Sequence, residues 1–143
     1  MILPITLTIA GAAALLNVWL GMRIGRLRVA HKVSIGDGGN EALTAGMRAQ
    51  ANFIENTPLF LILLGFVELA VKSPMWLWIV GVVFILARIC HGLGMSRPRP
   101  DPLRLRMVGT LLTVVILIGL ALYAIALPYV HREPAASITY ASS

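Results

Sequence analysis

The sequence predicts an all-α fold, an integral membrane four-helix bundle, and three observations carry that prediction. Hydrophobic residues make up 58% of the chain and charged residues 13%, with a mean hydropathy of +0.85, which is more apolar than a soluble domain of this length needs. Four apolar stretches are each long enough to cross a hydrocarbon layer of about 30 Å, for which about 20 helical residues suffice. None alternates with period two, as a strand of a membrane barrel does.

The first stretch runs from Ile2 to Ile24. It has no basic leading segment, is too long for the apolar core of a signal peptide and is followed by arginines, so it reads as a retained span. Ser34-Ile-Gly-Asp-Gly-Gly-Asn-Glu41 is a turn-rich break. Its glycines supply positive φ, and Asn40 can cap the helix that follows. The second stretch runs from Ala42 to Val71, and Lys72-Ser73-Pro74 is so short that the second and third spans must form an antiparallel hairpin. The third runs from Pro74 to Met95, with Trp76 and Trp78 beside Lys72 where an interfacial aromatic belt belongs. Between Ser96 and Pro102 three prolines alternate with charges, which predicts a non-helical connection. The fourth stretch runs from Leu105 to Tyr129. Residues 1–132 therefore form one membrane domain, and 133–143 read as a disordered C-terminal tail.

The net charge of +6 is placed unevenly. Arg23, Arg26, Arg28 and Lys32 flank the first loop and Arg97, Arg99, Arg104 and Arg106 flank the third, against Lys72, His131 and Arg132 on the other side. By the positive-inside rule loops 1 and 3 are cytoplasmic and both termini are not. A basic rim of this kind meets anionic lipid headgroups or an anionic solute, and the distribution argues against a nucleic-acid partner. Cys90 is the single cysteine, which excludes an intrachain disulfide and a multi-cysteine metal site. His31, His91 and His131 lack the spacing of a metal pair, so no metal site is expected.

Candidate site residues are the charged and polar side chains set among lipid-spanning ones. Arg48, Asn52 and Glu55 are spaced four and then three residues apart and share one helix face. Arg88 and His91 stand near the end of the third span. An ionisable group near the bilayer centre costs about 3 kcal/mol or more, and such groups face a bundle interior or mark a site. Counting about 1.5 Å per residue from the cytoplasmic boundary brings all five to one third of the bundle, with Arg104 and Arg106 at the start of helix 4. Once Glu55 pairs with one arginine, positive charge is left over, and an anion is needed to complete the set: a lipid headgroup, a carboxylated metabolite or a thiolate. The plainer alternative is that Arg48 and Glu55 only pin helices together.

Met47-Arg-Ala-Gln-Ala-Asn-Phe-Ile-Glu-Asn-Thr-Pro-Leu-Phe60 resembles the helix 2 signature of the MAPEG family, the membrane-associated proteins of eicosanoid and glutathione metabolism. The pattern Arg-x-x-x-Asn-x-x-Glu-x-x-Pro is present as Arg48, Asn52, Glu55 and Pro58. Ala87-Arg88 followed by His91 and Gly94, and Arg106-x-x-Gly109, are weaker matches. The resemblance covers about residues 1–130 and looks like the small bacterial branch related to microsomal glutathione transferases. It implies a homotrimer in a bacterial inner membrane, with glutathione as co-substrate between neighbouring subunits at the cytoplasmic side. Arg48, Asn52 and Glu55 would hold the carboxylates and amine of glutathione, Arg28 would reach it from the first loop, and Arg88 with His91 would support it from helix 3. Arg106 would stand beside the sulfur, with Arg104 as the alternative. The implied activity is glutathione transfer to a lipophilic electrophile, reduction of a lipid hydroperoxide, or both. Where eicosanoid enzymes of the family carry tyrosines on helix 3, this chain has His91 and Met95, and the residue after the glutamate is Asn56 rather than an aromatic.

Two readings from other classes stand beside the enzyme. One is a noncatalytic protein of the same fold that binds glutathione or an anionic lipid. The other is a small transporter, since intramembrane charges also line substrate paths. Transport requires polar residues continuing to the far interface, and helix 4 beyond Thr113 supplies none.

Overall fold

The computed structural model describes residues 2–95 and 102–130, which form four helices: α1 (Pro4–His31), α2 (Glu41–Val71), α3 (Met75–Gly94) and α4 (Pro102–Val130). All four are long and apolar enough to cross a membrane. The expected non-helical connection over 96–101 and the expected tail over 133–143 lie outside the described residues.

Two helix ends differ from the sequence reading. The apolar run of α1 ends at Ile24, but the helix continues to His31 before Lys32 turns it off in the left-handed region (φ 54°). Arg28 is therefore a residue of α1, not of the loop. Hydropathy marks where lipid stops, whereas backbone hydrogen bonding continues into the interface. At the other end, Pro102 opens α4 instead of closing the connection before it. A proline fits the first helical turn, where its missing N–H has no partner to lose.

The first loop follows expectation. Gly36, Gly38 and Gly39 all have positive φ, and the Asn40 side chain accepts the N–H of Leu43 at 3.0 Å. Asp37 braces the loop by accepting the N–H of Gly39 at 3.1 Å and the hydroxyl of Thr44 at 2.8 Å. The turn between α2 and α3 is tighter. Lys72 and Ser73 both adopt left-handed backbone (φ 59° and 56°), a conformation that costs about 1–2 kcal/mol for a residue with a Cβ.

One stripe of α1, Ile5, Ile9, Ala13, Leu16, Leu20 and Ile24, recurs every three or four residues and is buried. The lower part of this stripe packs with Phe60, Leu64, Val67, Leu77, Phe84 and Leu120. Phe60 and Phe84 stack with ring centroids 3.7 Å apart. The upper part packs on Ala49 and Phe53. The most extensive helix pairing is α3 with α4, followed by α1 with α2. Gly109 allows the former, since a Cβ there would lie 2.5 Å from the carbonyl oxygen of Ala87 and 2.7 Å from the backbone nitrogen of His91. Large apolar side chains such as Leu15, Leu59, Leu111 and Leu122 point outward, as they do where lipid or a neighbouring subunit replaces water.

Candidate functional site

Residues from α2, α3 and α4 gather at the end of the bundle that carries the basic loop. Arg88 is the central one. It is 2% exposed, and its Nη1 donates to Oδ1 of Asn52 at 2.7 Å, joining the α2 motif to α3. Its Nε and Nη2 are also buried, and neither has a hydrogen-bond partner among the described residues. The pairing expected for Glu55 is not what the structure shows: Glu55 is exposed and has no ion-pair partner among the described residues. Arg48 is exposed likewise and Asn52 is half-buried. The four-plus-three spacing does place the three on one side of α2, but that side is turned partly out of the bundle.

His91, one turn beyond Ala87 and Arg88, is 7% exposed, and its Nδ1 lies 3.1 Å from the hydroxyl of Thr110. Arg106 is half-buried, with Nη1 4.0 Å from the sulfur of Met95. Arg104 is exposed. Arg28 is engaged with its own loop: Nη1 donates to the carbonyls of Ser34 (3.3 Å) and Gly36 (2.9 Å), and Nη2 to the Met47 sulfur (3.6 Å). The chain thus brings Asn52 to Arg88 and His91 to α4, and leaves Arg48, Glu55 and Arg104 exposed.

Several polar residues were not singled out in the sequence. Gln50, between Arg48 and Asn52, donates to Oδ1 of Asn17 on α1 at 3.3 Å. Both are amides in apolar spans, and that alone signals a pair, because such a group needs a partner in lipid. Arg23 donates to the carbonyl of Gly92 at 3.1 Å and lies over the Trp19 ring, 4.7 Å from its centroid. Glu68 is 1% exposed at the opposite end of α2. It accepts from the backbone N–H of Ile5 (3.0 Å) and Thr6 (2.8 Å) and from the hydroxyls of Thr6 (2.7 Å) and Ser73 (2.6 Å). Polar groups therefore do extend toward the far interface, on α2 rather than α4, with Thr57 buried and unpaired between them. The Glu68 carboxylate is taken up by the first turn of α1 and by Ser73, which closes this end of the bundle. The signal for Glu68 was the start of α1, where Leu3 offers no capping side chain and free N–H groups need an acceptor.

Two surface hollows lie away from this cluster. One, of about 360 Å³, is apolar and bounded by Trp76, Ile116, Gly119 and Tyr123. The other, of about 470 Å³, is formed at the end of α1 by Gly25, Arg28, Lys32 and Ser34.

Residues 6–126 match the model of the MAPEG family. The chain is similar to "Inner membrane protein YecN" of Escherichia coli strain K12 and to the protein of the same name in Escherichia coli O6:H1. In each case it is 30% identical over 82 residues, which is 57% of this chain and 63% of the relative. The match thus spans a little under two thirds of those relatives.

Proposed function

This chain belongs to the MAPEG family, and from that membership we propose that it is a glutathione-dependent membrane enzyme, a glutathione transferase, a lipid hydroperoxide peroxidase or both. The observation that carries the reading is Arg88. A guanidinium buried in a membrane-spanning helix that, among the described residues, is bonded only to a neutral amide and has two nitrogens unpaired calls for an anionic partner. Leaving such a charge uncompensated costs about 3–5 kcal/mol. Glutathione carries two carboxylates, which guanidinium forks bind through paired hydrogen bonds.

The proposed division of labour follows the placement of the side chains. Arg48, Asn52, Glu55 and Arg88 bind the carboxylates and amine, with His91 behind them. Arg106 stands beside the sulfur, and Arg104 is its alternative. A free thiol has a pKa of about 8.5, and an adjacent guanidinium favours the thiolate at neutral pH. The chain then needs no nucleophile of its own, and half-buried Cys90 has no part in the reaction. The second substrate is a lipophilic electrophile that arrives through the bilayer.

Arg48 and Glu55 are exposed on the protomer at membrane depth, where bare charge is unfavourable. A second copy laid over α2 removes that penalty, which supports a homotrimer with ligand held between subunits. The basic loops support a cytoplasmic site with both termini on the opposite side. Similarity to an inner membrane protein of Escherichia coli supports a bacterial inner membrane.

A noncatalytic binding protein of the same fold is the second reading. It is favoured by the loose hold on Arg106, whose nearest named partner is a thioether at 4.0 Å. Calorimetry of glutathione binding to detergent-purified protein, followed by difference absorbance of the thiolate at neutral pH, separates the two. The enzyme reading requires binding, a thiolate band, and loss of that band in Arg106→Ala. Binding without the band selects a noncatalytic glutathione carrier, and absence of binding sinks the enzyme and leaves an anionic lipid as the ligand of the noncatalytic protein.

A further inference from the structure

We propose that Thr110 is a positioning residue for Arg106, acting with His91 to hold the opening turns of α4 in place. The inference rests on the assignment of Arg106 to the glutathione sulfur.

Three observations converge. The Thr110 hydroxyl donates to the carbonyl of Arg106, one turn earlier, at 2.9 Å. A hydroxyl has one proton to give; with that proton on the Arg106 carbonyl, the Thr110 oxygen is left to accept from His91 Nδ1, 3.1 Å away, in the tautomer that is protonated there. The residue before it, Gly109, sits so close to α3 that a Cβ would meet the Ala87 carbonyl at 2.5 Å and the His91 nitrogen at 2.7 Å. Backbone contact at Gly109 and the His91–Thr110–Arg106 chain therefore fix both the distance and the rotation of α4 at this level.

Other threonines show what is special here. Thr8 and Thr113 also donate to the carbonyl four residues back, at 2.8 and 2.7 Å, which is the ordinary way a helical hydroxyl satisfies itself. Thr110 alone among these three is also met by a buried side chain from another helix. Arg106 depends on that arrangement, because among the described residues its side chain has only the Met95 sulfur at 4.0 Å to steady it. The aim of the guanidinium is then set by the backbone beneath it. A displacement of about 1 Å in a catalytic group can lower a rate by about a hundredfold.

The test is a pH titration of the glutathione thiolate band, with steady-state kinetics, on purified wild type, Thr110→Val, Thr110→Ala and Thr110→Ser. Removing the hydroxyl should move the midpoint of thiolate formation up by about one pH unit and lower kcat about tenfold, equivalent to about 1.4 kcal/mol. KM should stay within about twofold, because the carboxylate-binding arginines are untouched. Serine keeps the hydroxyl and should restore both quantities. Reading alanine beside valine guards against a packing fault peculiar to the branched side chain. If wild type forms the thiolate and both hydroxyl-free variants titrate at the same pH, Thr110 has no positioning role, although Arg106 keeps its own. If wild type binds glutathione without forming thiolate, or does not bind it, the function proposed above fails and this inference fails with it.

Discussion

The Glu68 carboxylate takes the backbone N–H of Ile5 at 3.0 Å, so the last turn of α2 caps the first turn of α1. It does the same for Thr6 at 2.8 Å. A negative group at a helix N-terminus also meets the favourable end of the helix dipole. Glu68→Gln keeps one acceptor oxygen but turns an NH2 toward groups that are themselves donors. It should lower stability by about 1–3 kcal/mol, read as a clear drop in melting temperature in detergent. An unchanged melting temperature would show that the cap is incidental.

Asn52 and Arg88 give a sharper test, because their single and double variants differ in sign. Asn52→Leu removes the hydrogen bond to Nη1 of the guanidinium and should destabilise the protein by about 1.5–3 kcal/mol. Arg88→Met in the same chain removes the stranded charge and should recover most of that loss, while glutathione binding stays abolished. Thermal unfolding and calorimetry on the two variants provide the comparison. Failure of the second substitution to recover stability would mean that Asn52 matters for some other reason.

Arg106→Ala should reduce kcat with a lipophilic electrophile by about a hundredfold and change glutathione affinity only slightly, as expected of a group that acts mainly on developing negative charge. Arg104→Ala should be milder, since that side chain is exposed. The reverse order would transfer the role to Arg104.

Gly109→Ala has no room. The nearest atoms are backbone of α3, so α4 must move away, at about 1–3 kcal/mol for forced overpacking. Gly119 faces open space, and Gly119→Ala should leave stability within about 0.5 kcal/mol. Paired melting curves decide it: equal effects would be incompatible with the close contact of α3 and α4.

The first loop should be sensitive to acid. The N–H of Gly39, and after it the Thr44 hydroxyl, holds the Asp37 carboxyl below its ordinary value. A carboxyl depressed on folding contributes order above its unfolded pKa of about 3.9 and loses it as pH falls through the lower folded value. Limited proteolysis between Ser34 and Glu41 should therefore accelerate below about pH 4, and Asp37→Asn should remove that acid-dependent step. A step that survives the substitution belongs to another group.

Periodicity and hydropathy were enough to read the four spans, the α2–α3 hairpin, the Asn40 cap and the shared face of Arg48, Asn52 and Glu55. Spacing, however, fixes only that three residues lie on one face; the direction of that face depends on how α2 packs. The sequence therefore paired Glu55 with an arginine, whereas Arg88 reaches Asn52. Glu68 was passed over because an acid near a span's end is most simply solvated, and its four donors come from residues far apart in the chain or from a strained turn. Thr110 gave no signal at all, because a hydroxyl in a membrane helix normally satisfies itself.

Arg23 and Glu68 together have a mechanical consequence. Near the basic end, Arg23 of α1 holds the carbonyl of Gly92 in the last turn of α3; at the other end, Glu68 of α2 holds the start of α1. Helix α1 is thus tethered near both ends, to two different neighbours, and cannot slide along the membrane normal without breaking one tether. In a thinner or thicker bilayer the protein must respond to mismatch by tilting as a unit or by deforming the lipid around it, so its vertical register is carried with it from membrane to membrane.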